Sequence, residues 1–242
     1  MNIFGSLTFG SLIKTLLPGF VWLVAIGIFE ADVSQCLGYK PYIWKALVSK
    51  EQAATLLVLA FPAAILLGLL SNILVFMGLN DCLVRKPVRA AKTELFALHD
   101  HLSAAVREQC WTALGWTDLV MKKNFEEVID PEIIIIERVG AEKLSYVREQ
   151  YWFHLEFQLN LLISLAALFL ALAVSVFINT AATYKPLCAM LLIFATLIVV
   201  LTIGLGLLKA ARKNYIRHVE KMASLLAAML SSTPKGEAGG SR

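Results

Sequence analysis

The sequence predicts an all-α, polytopic membrane protein with four transmembrane helices and a helical cytoplasmic module. Three observations predict it. No Asp, Glu, Lys or Arg occurs in 53–80, in 157–184 or in 186–208, and about 20 apolar residues in helix suffice to cross ~30 Å of hydrocarbon. The chain is 58% hydrophobic and 17% charged, against ~45–50% and ~25% in ordinary soluble domains. The charges that exist are segregated into the segments between the runs.

The N-terminal part, 1–80, holds the first two spans, about 12–33 and 53–80. Its opening residues are uncharged up to Lys14, and Thr15–Phe29 is apolar. A signal peptide is disfavoured, because the usual positive cluster is missing and no small-x-small cleavage site precedes Glu30. The apolar stretch is short for a span; Lys14 snorkelling at one end and extension to Val33 at the other make up the length. A re-entrant hairpin at Pro18-Gly19 is the alternative. Glu30 and Asp32 end this span on the outer side, where acids are cheap to place; a cation-attracting vestibule is the functional reading of the same pair.

Basic residues set the orientation. Arg85, Lys86, Arg89 and Lys92 follow span two, and Lys209, Arg212, Lys213, Arg217 and Lys221 follow span four, whereas Lys185 alone lies between spans three and four and Lys40, Lys45 and Lys50 lie between spans one and two. Loops rich in Lys and Arg stay cytoplasmic, so 81–156 and 209–242 are expected inside, with N-in/C-in topology. Absence of an N-x-[ST] sequon fits a bacterial inner membrane. Tyr151 and Trp152 at the start of span three, and Lys209, Arg212 and Lys213 after span four, are the expected membrane-interface anchors. Tyr42, Trp44 and Tyr184 would anchor the outer side.

Residues 81–156 form the expected cytoplasmic module. Leu95, Leu98, Leu102, Val106 and Cys110 recur at helical steps and give one apolar face. Asp130-Pro131-Glu132 reads as a helix start with an Asp cap and Pro at the first position. Four isoleucines at 133–136 fit either a short buried strand or one packed turn of helix. A further stripe, Leu144, Val147, Tyr151 and Leu155, runs into span three. In 209–242 an amphipathic helix carries Tyr215, Val219, Met222, Leu226 and Met229 before a Gly/Ser-rich tail. The faces Leu95/Leu98/Leu102/Val106 and Tyr215/Val219/Met222/Leu226 are candidate partner or oligomer contacts.

Spans three and four occupy 157–208, about 157–184 and 186–208. Gly68, Ser71, Asn72, Ala167, Ala171 and Ser175 are the helix-packing or pore-lining candidates, since small residues in a row let helices approach closely. Spans two to four contain no ionisable residue, which disfavours proton-coupled transport.

Catalytic and metal signals are weak. His99 and His101 lie two apart on a helix and point away from each other. The pair Arg212 and His218 is a chance-level spacing. Cys36, Cys82, Cys110 and Cys188 form no CxxC motif and read as isolated small apolar residues, a Cys36–Cys188 bridge being the alternative. No Walker loop, GxGxxG, HExxH or GxSxG occurs, so no enzyme, cofactor, metal or nucleic-acid partner is expected. The functional expectation is a homo-oligomeric channel-like or signal-transducing membrane effector whose module senses a signal or a soluble cytoplasmic partner. By architectural analogy alone, stress or phage defence is its setting. The alternative is a non-conducting anchor that recruits a soluble protein. Membrane lipid is a partner in either case.

Overall fold

A computed structural model of the protein describes residues 9–43, 49–113, 115, 130–183 and 186–232. Trp44 and Tyr184, expected as outer anchors, lie outside the described residues. All regular structure among the described residues is helical, and four helices are long and apolar enough to cross a membrane.

The helices are α1 (Phe9–Cys36), α2 (Lys50–Leu74), α3 (Lys86–Ala91), α4 (Thr93–Ala113), α5 (Pro131–Val139), α6 (Ala141–Val147), α7 (Phe153–Thr183) and α8 (Pro186–Ser232). Wider, π-type turns occupy Val75–Leu79, Asp81–Arg85 and Arg148–Trp152. The last of these joins α6 to α7, so the helical path into span three shifts register there. Pro18 sits inside α1, which continues through it as one helix. Helix α8 far exceeds the charge-free run 186–208: its 47 residues extend about 70 Å at 1.5 Å per residue. The helix therefore runs well beyond the charge-free residues, through Lys209 and the basic residues that follow it.

The chain divides into two compact units, Met1–Arg85 with Phe153–Arg212, and Lys86–Trp152 with Lys213–Arg242. In the first, α1 packs against both α2 and α7. Glycine sets the closeness of α1 to α2. A Cβ on Gly19 would overlap the Ala64 carbonyl, and one on Gly68 would overlap the Thr15 carbonyl. Two backbones in direct contact exclude lipid and gain dispersion energy along the crossing, which is how small residues drive association where no hydrophobic effect operates between helices. Pro18, Ala64 and Ser71 are buried beside them. Large apolar side chains such as Leu57, Leu66, Leu170, Phe194 and Val199 face outward, an arrangement suited to acyl chains.

The second unit has an apolar core of its own. Val106, Ile135, Leu144, Val147, Met222, Leu226 and Met229 pack together, with Leu102, Ile134, Val139 and Tyr151 against them. Asp130 caps α5, its carboxylate accepting from the Glu132 N–H at 2.8 Å. The isoleucine run is one turn and more of helix: Ile135 is fully buried, whereas Ile133 and Ile136 are exposed. A strand is excluded there because the Asp cap and Pro131 start a helix in which only every third or fourth residue faces the core.

The buried face of α4 is also displaced from the leucine stripe. Phe96, Ser103 and Val106 are buried, and Leu98 is 51% exposed. Phe96 takes the place expected of Leu95 and Leu98 because its ring meets Tyr215 of α8, with centroids 5.8 Å apart. Arg89 spans the α3–α4 junction, bonding Asp100 at 2.6 Å.

Replacing Gly19 or Gly68 by leucine forces backbone apart from backbone and is expected to lower stability by about 3 kcal/mol. Gly206→Ala, at a position with open space around it, is expected to be neutral or stabilising. Thermal unfolding midpoints of the detergent-solubilised protein check both.

Candidate functional site

Following α7 from its N-terminal end, Glu156, Asn160, Ser164, Ala167, Ala171, Ser175 and Asn179 recur at steps of three or four residues. Such spacing places them on one face. Every position on that face is polar or small, and three of its polar members, Glu156, Asn160 and Ser175, meet counterparts from the neighbouring helices.

At one end Lys14 of α1 pairs with the Glu156 carboxylate, and its ammonium lies 4.2 Å from the centre of the Phe153 ring. Glu156 is 6% exposed. In the middle, Asn160 is fully buried and its amide nitrogen donates to Asn72 Oδ1 of α2 at 3.0 Å. Ser164 returns its hydroxyl to the Leu161 carbonyl of its own helix. At the other end Ser175 donates to Asp32 Oδ1 of α1 at 3.0 Å, and Asn179 Nδ2 donates to the Ser175 carbonyl at 2.8 Å. Asp32 is 3% exposed.

Between the middle and the Ser175 end the face turns apolar. Ala167 and Ala171 leave a groove of about 370 Å³ against Trp22, Ala25 and Phe29. Six buried atoms of the first unit have no hydrogen-bond partner among the described residues: Trp22 Nε1, Glu30 Oε2, Asp32 Oδ2, Ser71 Oγ, Asn80 Oδ1 and Asn160 Oδ1. In a medium without water such atoms are costly.

The second unit holds one strongly perturbed group. The His218 ring packs against Trp152 in a tilted arrangement, with centroids 5.3 Å apart and the planes 50° to one another. Burial first, then the charges of Arg148 and His99, lower its pKa from 6.5 to about 4, against a hydrogen bond to the Val147 backbone that acts the other way. His218 belongs to the charged stretch that follows Lys209.

The structure distributes the residues singled out from the sequence as follows. Gly68 contacts α1; Asn72 contacts α7; Ser71 is buried in the same bundle; Ala167 and Ala171 line the groove; and Ser175 binds Asp32. Val106, Tyr215, Val219, Met222 and Leu226 are buried within the second unit, with Leu102 packed on its core, so of these faces Leu98 is left exposed and Leu95 is half-buried. Tyr151 packs on that core and Trp152 packs against His218. Lys209 and Lys213 are exposed, and Arg212 Nε donates to the Leu83 carbonyl at 2.9 Å. All four cysteines are free thiols. Among the described residues no group of three His, Cys, Asp or Glu could hold a metal ion.

Asp32 corrects an expectation. As an acid at the outer end of span one it was expected to be solvated, yet α7 covers it. Lys14 was expected to snorkel and is instead paired with Glu156, which was not singled out; the four-residue spacing of Glu156, Asn160 and Ser164 marks them as one face when polar rather than apolar periodicity is followed. No family model, curated protein or solved structure matches the chain.

Two outcomes follow from this geometry. Glu156→Gln leaves the Lys14 ammonium without its counter-charge and is expected to cost about 3 kcal/mol, while Lys14→Met combined with Glu156→Met recovers most of it; unfolding of the single and double variants measures the difference. For His218, the unfolded imidazole takes up a proton below pH 6.5 while the folded one resists to about 4. Stability therefore falls as pH drops through that window, by on the order of 2 kcal/mol. His218→Leu flattens the dependence, as acid titration of the unfolding midpoint will show.

Proposed function

We propose that this protein is a signal-transducing effector of a bacterial inner membrane, with the second unit in the cytoplasm as its receiving module and with both termini inside. The observation that carries the reading is how the second unit is assembled. Its core draws on the chain that follows span two, the chain that enters span three and the chain that leaves span four. A partner or signal that repacks this core acts on the ends of three spans at once, and packed helices convert such changes into discrete shifts or tilts. The basic residues flanking spans two and four support the cytoplasmic placement.

A channel-like, homo-oligomeric form of this reading places the conducting path between copies. The internal polar face of α7 argues for a path that opens only on rearrangement, because its side chains are engaged within one protomer. On α8, Thr196 and Thr202 return their hydroxyls to the carbonyls of their own helix at 2.8 Å, so that span offers lipid or a neighbour an apolar surface.

The second reading, a non-conducting anchor for a soluble protein, draws support from a different observation. Leu98, Ile133, Ile136 and Tyr146 are exposed on the second unit, and apolar residues on an aqueous surface are where a soluble partner would bind.

Hydrogen exchange on the nanodisc-embedded protein separates the two. Loosening the second unit with Leu226→Ala is expected to raise exchange in 153–179 if the module drives the spans. Unchanged exchange there, with the second unit loosened, contradicts the effector reading and leaves the anchor. Particle mass and symmetry in the same nanodiscs test the oligomer: several copies in a closed ring are expected, and a monomer removes the channel-like form.

A further inference from the structure

Asp32 presents an electrostatic problem that the fold leaves open. The carboxylate is 3% exposed within the candidate span Ile13–Cys36. One oxygen accepts from Ser175 Oγ at 3.0 Å, and the other is buried without a partner among the described residues. No Lys, Arg or His forms an ion pair with it among those residues. A hydroxyl donor does not neutralise a charge, and an uncompensated carboxylate in a low-dielectric bundle is among the costliest groups a protein can bury. Glu30, two residues earlier, adds negative charge instead of relieving it. Its Oε1 accepts from the Tyr42 N–H and from Ser34 Oγ, while its Oε2 is likewise buried without a partner.

We propose that Asp32 and Ser175 form a binding site for a small alkali cation in the outer part of the bundle. The free Asp32 Oδ2 supplies the neutralising charge, and the Ser175 hydroxyl supplies a neutral oxygen. Asn179 steadies that serine, donating to its carbonyl at 2.8 Å and to its hydroxyl at 3.4 Å. The charge balance selects a monovalent ion. Residues two apart on a helix point to different faces, so Glu30 and Asp32 do not converge, and a single carboxylate with neutral oxygens falls short of the oxygen-rich, multiply acidic shells that Ca²⁺ takes. The site stands on the α1–α7 contact and does not depend on whether the protein conducts or signals.

The test uses the full-length protein in nanodiscs, unfolded thermally in NaCl, KCl, LiCl or N-methyl-D-glucamine chloride at one ionic strength and pH. At least one alkali chloride is expected to raise the midpoint by about 3–5 °C over the organic cation. Asp32→Asn, which keeps the shape and the serine contact, is expected to abolish that preference, and Glu30→Gln to retain it. Equal midpoints in all four salts, as a protonated carboxyl would give, overturn the proposal, as does an Asp32→Asn protein that keeps the preference. Should Asp32→Asn fail to fold, Ser175→Ala decides: a half-saturating cation concentration about tenfold higher supports the site, and an unchanged one overturns it.

Discussion

The first unit depends on one constraint: inside a bilayer, a buried polar group has only other protein groups to bond with. Along α7 that constraint is met by a single face. Glu156 finds Lys14, Asn160 finds Asn72, and Ser175 finds Asp32. Because the partners come from α1 and α2, these contacts fix the rotation and height of three helices together. A turn of α7 by one residue would carry each polar group to lipid. Apolar packing alone would tolerate such a slip, since leucine meets an acyl chain about as well as it meets leucine.

Glycine supplies what hydrogen bonds cannot. Gly19 and Gly68 let α1 and α2 touch backbone to backbone, so the two helices present one surface to α7. The second unit works by different physics. Its core of Val106, Ile135, Leu144, Val147, Met222, Leu226 and Met229 is the kind that water drives together, each fully buried aliphatic side chain contributing about 1.5–3 kcal/mol before chain entropy is set against it. His218 is the cost inside that arrangement: an imidazole held neutral by its burial and its basic neighbours.

Much of this fold is legible in the residues, and the reasons are physical. Charge-free runs mark spans because a charge in hydrocarbon is expensive, so 53–80, 157–184 and 186–208 announce themselves. Asp130-Pro131 marks a helix start through local chemistry alone. What escaped is tertiary. Leucine spacing on α4 could not reveal that Phe96 rather than Leu98 turns inward, because the choice is made by Tyr215 from a distant segment. Asp32 reads as a surface acid until α7 is laid over it. Lys14 and Glu156 each sit beside an apolar run and look like ordinary boundary charges; only the bundle makes them a pair. Asn160 hides in a run read for its apolarity. Following polar residues at steps of four along span three would have exposed the seam, though not its partners.

The central claim is that the polar face of α7 sets the register of α7 on α1. Crosslinking in native membranes tests it most directly, in a background with Cys36, Cys82, Cys110 and Cys188 replaced by serine. Cysteines at Asp32 and Ser175 are predicted to form a disulfide on mild oxidation, and so are cysteines at Lys14 and Glu156, whereas Val33 with Ser175 is not. Both predicted pairs joining in the same protein would establish one register over the length of the bundle. Failure of both pairs, or equal crosslinking of Val33 and Asp32 to Ser175, would contradict it.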